Sequence, residues 1–444
     1  MSAAPQTLRS SILGLHRAAG NRAVAGMLQR KVGWSHASQQ GRKWNDAEQS
    51  WGKIRRIPLE GLAEGLDSKL RRPSGRMIPG LSSESATGRA IVLVPEALNA
   101  DASIEVIVFL HGFTEDRGRP YAGWRELVDP KPPTAGLGKV LEERLPRLRQ
   151  GVDATDTAPV RDVALDQVEQ QLEESQQTQL VIMLPQGGLT SEFSPEGTKD
   201  FDANRFVKEV VTRLQTEKCW RDGTGKPAAS EPGVSRITMA GHSGAGAALS
   251  QMTNEAVKAR RGIKPPKGAP APLSSALTGD LVIYDAINGS QLDQFIEWTR
   301  MLLDDEFAKL TDPGVTDEGK LFHLNRAQKL RGYTTDAYID AYIALDKAIN
   351  KWFAKHAAKL GPWAACLRAN FSLDYVDVSH EELMRGSLAG QPRAAGTGTI
   401  LDAIRSLHPP RYLSTGACPA MPRPLKERYD EVKSRKKVAV PAGR

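Results

Sequence analysis

Cysteine is scarce in the 444-residue sequence, which contains only Cys219, Cys366 and Cys418. The three lie far apart and form no C-x-x-C pair, so we expect neither a zinc site nor a disulfide framework, and three free thiols. Long apolar runs are missing as well. No stretch of about 18 apolar residues occurs, so no transmembrane helix is predicted. The N-terminus has no basic-then-apolar signal peptide, so we expect synthesis in the cytoplasm without general secretory export.

Motifs that hold metals or organic cofactors are also lacking. The sequence has no H-E-x-x-H, no P-loop and no G-x-G-x-x-G after a predicted strand, so no cofactor is expected. Positive charge is concentrated at the two ends: residues 1–57 hold ten Lys and Arg against two acids, and residues 421–444 hold eight against three. Neither end interleaves aromatic residues in a recognisable module, so nucleic-acid binding is not expected despite the net charge of +8.

Residues 234–250 (VSRITMAGHSGAGAALS) carry the strongest chemical signal. A short β-favouring run ends at Gly241, His242 and Ser243, and an alanine-rich, helix-favouring segment follows at once. A nucleophilic serine at a tight turn requires this succession of strand, turn and helix. The positions two before and two after the serine must be small so that strand and helix can approach, and Gly241 and Ala245 are both small. A structural glycine-rich turn is the alternative.

Strands and helices alternate along the rest of the chain. Apolar runs predict strands at residues 90–94, 104–110, 180–185, 237–240, 281–289, 321–325 and 371–378. Helical spacing predicts helices at 163–174, 204–214, 294–310 and 335–358. This order predicts an α/β domain with a doubly wound, mostly parallel sheet over residues 50–415. A loading segment and flexible linker at 1–45 would precede it, and a basic tail at 416–444, mobile around 435–437, would follow.

Three short motifs lie at the ends of predicted strands: HGF at 111–113, GHSGAG at 241–246 and VSH at 378–380. Across about residues 85–390 they resemble the α/β-hydrolase superfamily. The resemblance implies an oxyanion hole made by the backbone N–H groups of Phe113 and Gly244. His111, Gly112 and His242 would then border the substrate. For residues 111–113, an ordinary glycine turn after a strand is the alternative.

A serine nucleophile needs a base to accept its proton and an acid to orient that base. In α/β-hydrolases both follow the serine, the acid first. His380 directly follows the last predicted strand and is the predicted base. Asp285 ends the strand after the serine's helix and is the predicted acid, because the position after residues 321–325 offers no carboxylate. A capping or surface histidine and a strand-end turn residue are the respective alternatives.

The N-terminal segment carries a separate pattern. Residues 13–30 read as two short amphipathic helical pieces that meet at Gly20 and Asn21. Their L-x-R-x-x-G-N-R-A-V-x-x-x-L-Q-R pattern resembles the N-terminal motif of proteins associated with extracellular contractile injection systems. The resemblance implies a cargo or effector that is loaded into a phage-tail-like particle and delivered to a target cell. A small helical hairpin docked on the domain is the alternative.

Together these patterns predict a serine hydrolase, esterase- or lipase-like, that cleaves a small-molecule or lipid ester through an acyl-enzyme. Two alternatives stay open. One is a peptidase or amidase that acts on peptide or cell-wall bonds. The other is a structural cargo or adaptor whose hydrolase fold has no activity.

Overall fold

The computed structural model describes residues 54–59, 62, 90–110, 168–185, 202–263, 279–380, 383–384, 397–407 and 418–439. Eight strands are β1 (Ile54–Leu59), β2 (Ala90–Pro95), β3 (Ile104–Leu110), β4 (Leu180–Pro185), β5 (Val234–His242), β6 (Leu281–Tyr284), β7 (Leu330–Thr334) and β8 (Phe371–Tyr375). The helices of the described residues are α1 (Val168–Ser175), α2 (Ala203–Thr216), α3 (Gly246–Arg260), α4 (Leu292–Thr311), α5 (Asp317–Arg326), α6 (Ile339–Leu360), α7 (Trp363–Ala369), α8 (Thr399–Leu407) and α9 (Leu425–Ala439).

The strands form one sheet in the order β1-β2-β4-β3-β5-β6-β7-β8. Strand β2 runs antiparallel to both of its neighbours, and every pairing from β4 to β8 is parallel. Strands β2 and β4 are buried along their whole length, as parallel-rich sheets covered on both faces require. The order and direction of the strands confirm the predicted α/β-hydrolase fold class. The N-terminal extension lies outside the described residues.

Helices cover both faces of the sheet. One face packs against α1 and α8 through side chains such as Leu172 and Ile404. The other packs against α2, α3, α4, α6, α7 and α9, with Phe206, Trp298 and Tyr342 fully buried. Helices on both sides direct buried apolar side chains into these two layers, which is the arrangement that stabilises a doubly wound fold. The sequence of strands and helices brings the carboxyl ends of β5, β6, β7 and β8 to one edge, where the candidate site lies.

One predicted strand was wrong. Residues 321–325 lie in helix α5, and the strand that pairs with β6 and β8 is β7. Helix α5 begins at a Thr316 N-cap, whose hydroxyl accepts a hydrogen bond from the Gly319 N–H at 3.2 Å. Two acids in its first turn add a favourable interaction with the helix dipole. These capping signals outweigh the short apolar run on which the strand prediction rested.

The cysteine prediction was also wrong in part. Cys366 in α7 is joined by a disulfide to Cys418, which precedes α9, and only Cys219 is free among the three. The two partners are 52 residues apart in sequence, a separation that no local pattern reveals. The disulfide connects the C-terminal segment to the helical layer of the domain.

The segment predicted as a basic tail, residues 416–444, contains helix α9, which packs on the domain. Leu425 is fully buried, and its N–H donates a hydrogen bond to Asp346 at 2.8 Å. Arg428 forms an ion pair with Asp374 at 2.6 Å, next to the end of β8. Residues 435–437 lie within this helix. Among the described helices, none is both long enough and apolar enough to cross a bilayer.

Candidate active site

Ser243 lies at the turn between β5 and α3. Its φ of 52° is in the left-handed region, which is strained for a residue with a side chain and recurs at functional sites. The close approach of strand and helix explains the small flanking residues. A Cβ at Gly241 would lie 2.9 Å from the Cβ of Ala245 and 2.8 Å from Cδ1 of Leu249. The demand for small residues at Gly241 and Ala245 therefore has the physical origin that the sequence predicts.

Gly246, the first residue of α3, makes a contact that the sequence did not reveal. A Cβ at this position would lie 1.8 Å from the carbonyl oxygen of Ala286, immediately after β6. Only glycine allows the helix that follows Ser243 to lie this close to the chain that carries Asp285. Its position one residue beyond the G-x-S-x-A pattern is the only signal that could have found it.

The structure brings Ser243, His380 and Asp285 together in a hydrogen-bonded chain. His380 Nε2 lies 2.9 Å from Ser243 Oγ, and His380 Nδ1 lies 2.9 Å from Asp285 Oδ2. With the proton on Nδ1, the ring donates to the carboxylate and Nε2 can accept the serine proton; this tautomer is assigned from the hydrogen bonds. Asp285 is fully buried, Ser243 is 6% exposed, and 22% of the His380 side chain is exposed. The base is thus the most accessible of the three.

Asp285 is held by the end of β7. Its carboxylate accepts a hydrogen bond from the backbone N–H of Thr335 at 2.8 Å and another from the Thr335 hydroxyl at 2.6 Å. Its own N–H donates to the carbonyl of Tyr333 at 2.9 Å. The backbone φ of Asp285 is 45°, a second non-glycine residue in the left-handed region at this site. The following N–H, of Ala286, donates to the Tyr342 hydroxyl at 3.1 Å.

Two aromatic rings contact the imidazole of His380. His242 stacks on it with ring centroids 4.6 Å apart, and the Tyr338 ring lies 5.1 Å away on a tilted plane. His242 Nε2 also lies 3.2 Å from the carbonyl oxygen of His380. His242, predicted to border the substrate, is thus buried against the ring and backbone of the predicted base. These contacts restrict the imidazole to the plane that joins Ser243 and Asp285.

Of the two residues predicted to form the oxyanion hole, Gly244 lies among the described residues and Phe113 does not. Gly244 directly follows Ser243 and is partly exposed, at the start of the turn that leads into α3. His111, Gly112 and Phe113 lie outside the described residues, immediately after the last residue of β3. The donor role of Gly244 and the roles of residues 111–113 stay predictions.

Three tyrosines near the site remain neutral over a wide pH range. Burial, with a further contribution from the charge of Asp285, raises the pKa of Tyr342 well above 10. Burial, with the charge of Asp402, does the same to the pKa values of Tyr284 and Tyr333. The Tyr333 hydroxyl donates a hydrogen bond to Asp402 at 2.7 Å. In the part of the chain that the structure describes, no group of three or more His, Cys, Asp and Glu residues could hold a metal ion.

Comparison with known proteins adds the following. No protein-family model and no curated protein sequence matches the chain. The solved structures that it resembles include a mutant of the feruloyl esterase module from Clostridium thermocellum, complexed with sinapinate, at 10% identity and a TM-score of 0.31, covering 82% of this chain and 92% of that chain. An esterase from the bacterial hormone-sensitive lipase family is 10% identical, with a TM-score of 0.30 and coverage of 87% and 96%. A carboxyl esterase from the fungus Tuber melanosporum is 12% identical, with a TM-score of 0.29 and coverage of 81% and 88%. The order and direction of the strands define the fold independently of these neighbours.

Proposed function

We propose that the chain is a serine hydrolase that cleaves a carboxylic ester, with Ser243 as nucleophile, His380 as base and Asp285 as the acid that orients the base. The observation that carries this proposal is the hydrogen-bonded chain from Asp285 through His380 to Ser243, with both links at 2.9 Å. The strained turn at Ser243 supports it, because such strain recurs where a nucleophile must be presented at a turn.

The first step is acylation. His380 Nε2 accepts the Ser243 proton while Oγ attacks the ester carbonyl carbon, and Asp285 stabilises the imidazolium that forms. The negative charge on the carbonyl oxygen is stabilised by backbone N–H groups, for which Gly244 and Phe113 are the proposed donors. Each such donor contributes about 3 kcal/mol to the stability of the transition state. His380 then gives its proton to the leaving alkoxide, and the acyl group remains on Oγ.

The second step is hydrolysis of the acyl-enzyme. A water molecule gives a proton to His380 Nε2 and attacks the acyl carbon, so the acid product leaves and Ser243 regains its proton. The 22% exposure of the His380 side chain supports this step, because the base must meet both substrate and water. The same chemistry can cleave an amide, where proton delivery to the leaving nitrogen is more demanding.

A substrate series tests the proposal. Acyl esters of graded chain length and matched peptide substrates would be assayed with wild type, Ser243→Ala and Ser250→Ala. Ser250 is a matched control, since it is a buried serine of helix α3, which follows Ser243, and its hydroxyl donates to the Ala247 carbonyl rather than to His380. We expect ester cleavage to fall by a factor on the order of 10⁶ in Ser243→Ala and to persist in Ser250→Ala. Cleavage of peptides alone would support the amidase alternative.

We further propose that the enzyme is a cargo of a contractile injection system, loaded through residues 13–30. The support is the G-N-R-A-V and L-Q-R pattern of that segment, which lies outside the described residues. On this proposal the hydrolase domain spans residues 50–415. Deleting residues 1–30 should abolish packaging into the particle and leave ester hydrolysis intact. Lost hydrolysis with unchanged loading would contradict this proposal. Loading of a chain whose Ser243 never reacts with a fluorophosphonate, a reagent that phosphonylates activated serines, would support an inactive cargo.

A further inference from the structure

We infer that Thr335, at the end of β7, is a positioning residue that aims the carboxylate of Asp285 at His380. The inference rests on the proposed function and deepens it. Neither the motifs of the sequence nor the triad itself assigns a role to this residue.

The two carboxylate oxygens of Asp285 have different sets of partners. Oδ2 accepts from the hydroxyl of Thr335 at 2.6 Å and faces His380 Nδ1 at 2.9 Å, while Oδ1 accepts from the backbone N–H of Thr335 at 2.8 Å. One residue thus contacts both oxygens. Two donors from a rigid strand end prevent rotation of the carboxylate about its Cβ–Cγ bond, so that Oδ2 remains directed at the imidazole.

The surroundings of Thr335 make this contact specific. Thr335 is 1% exposed and Asp285 is fully buried, so no bulk water is available to replace a lost donor. The hydroxyl also accepts from the Ala337 N–H at 3.3 Å, which orients its proton toward the carboxylate. Ala337 is exposed, so water can satisfy that N–H when the hydroxyl is removed. The effect of removing the hydroxyl therefore falls mainly on Asp285.

Two neighbouring parallel strands of the sheet position the acid and the residue that orients it. Strand β6 supplies the acid and β7 supplies the residue that orients it, because parallel neighbours end at the same edge. The Asp285 N–H to Tyr333 carbonyl bond sets the register between them. The end of β7 directs no carboxylate at His380 and takes part in the reaction through Thr335 instead.

The test compares Thr335→Val, which keeps the shape and removes the hydroxyl, with Thr335→Ser, which keeps the hydroxyl. The matched control is Thr334→Val: Thr334 is equally buried, and its hydroxyl bonds to the carbonyl of Thr335 and not to Asp285. We expect kcat for ester hydrolysis to fall about 10- to 100-fold in Thr335→Val with KM nearly unchanged, because the lost bond is to a charged group. Thr335→Ser should remain within about threefold of wild type, and so should Thr334→Val.

Three outcomes would overturn the inference: wild-type kcat in Thr335→Val, an equal loss in Thr335→Ser, or an equal loss in Thr334→Val. Should Thr335→Val fail to fold by circular dichroism, Thr335→Ala takes its place with the same expectations. A second readout does not depend on activity. The proton NMR signal of His380 Nδ1–H should be sharp in wild type and Thr335→Ser, and broadened in Thr335→Val by faster exchange with solvent. A chain that shows this pattern without hydrolysis would refute the proposed function and support the positioning role.

Discussion

Replacing Gly246 by alanine should damage the active site without touching any group that reacts. The added methyl would lie 1.8 Å from the carbonyl oxygen of Ala286, and real Cβ atoms essentially never approach a non-bonded heavy atom within 3.0 Å. The obstacle is backbone rather than the end of a flexible side chain, so helix α3 and the chain after β6 must separate by roughly 1.2 Å. Ser243 precedes this helix and Asp285 precedes Ala286, so the separation acts on the distance between nucleophile and acid.

Two effects of the substitution oppose each other. Alanine favours helix over glycine by about 1 kcal/mol. Overpacking a tight contact costs about 1–3 kcal/mol, so the clash outweighs the gain and the free energy of unfolding should fall. Catalysis should suffer more than stability, because a misplacement of about 1 Å in a reacting constellation can cost about 10²-fold. We therefore expect kcat to fall about 100-fold in Gly246→Ala.

The assay is steady-state hydrolysis of the best ester at a temperature where circular dichroism shows the variant folded. Gly289→Ala is the matched control, since Gly289 lies shortly after Ala286 in the sequence and a Cβ there would meet no atom within 4 Å. It should retain wild-type kcat. The reasoning is refuted if Gly246→Ala is folded and as active as Gly289→Ala.

Two further predictions concern stability. Cys418→Ser removes a cross-link between residues 52 apart in sequence and should lower the free energy of unfolding by about 4 kcal/mol, measured by urea denaturation. Reduced wild type should be destabilised to the same extent, and Cys219→Ser should not be. An oxidised wild type that is no more stable than Cys418→Ser would contradict the disulfide. Burial lowers the pKa of Lys329 from 10.5 to about 8, so the unfolded chain binds more protons than the folded one between these values and stability should rise with pH across that window. Relative to Lys329→Met, wild type should gain up to about 3 kcal/mol between pH 8 and 10.5, and a flat difference would contradict the burial of that charge.

The elements around Ser243 were the most predictable part of the fold. Strands β2, β3 and β4 are apolar runs, interrupted in β3 by Glu105, and the small residues flanking the serine leave few other structures. Strand β7 was missed because its sequence, LRGYT, contains a buried arginine and a glycine. Arg331 is accommodated by hydrogen bonds to the hydroxyl and carbonyl of Ser406, and a Cβ at Gly332 would lie 2.4 Å from a side-chain atom of Leu373. Ser406 and Leu373 both lie far from β7 in the sequence, so no local pattern reveals these contacts.

Asp285 lies within hydrogen-bond distance of His380, but one reason for predicting it as the acid was wrong. The strand after β6 is the other position where the acid could lie, and placing that strand at residues 321–325 left no carboxylate at its end. In the structure this strand is β7, which ends at Thr334 and is followed by Thr335 and Asp336. Asp336 is a carboxylate at that position, but it is exposed and pairs with Lys433 of α9. Only the three-dimensional arrangement separates the two acids, since Asp285 is the one within 2.9 Å of His380.

Contacts between residues distant in sequence account for what the sequence could not predict. Thr335 contacts Asp285, 50 residues earlier in the sequence. Gly246, at the start of α3, contacts Ala286, which follows β6. The rings of His242 and Tyr338 meet His380 from β5 and from the start of α6. None of these pairings has a local pattern, because each depends on which strands end side by side.

The most direct test of the central claim is the mass of the protein after reaction with a fluorophosphonate, a reagent that phosphonylates activated serines. Wild type should gain one adduct, and peptide mapping should locate it on Ser243. Ser250→Ala should gain the same adduct and Ser243→Ala none. No adduct on the folded wild type, or equal labelling of Ser243→Ala, would contradict the account.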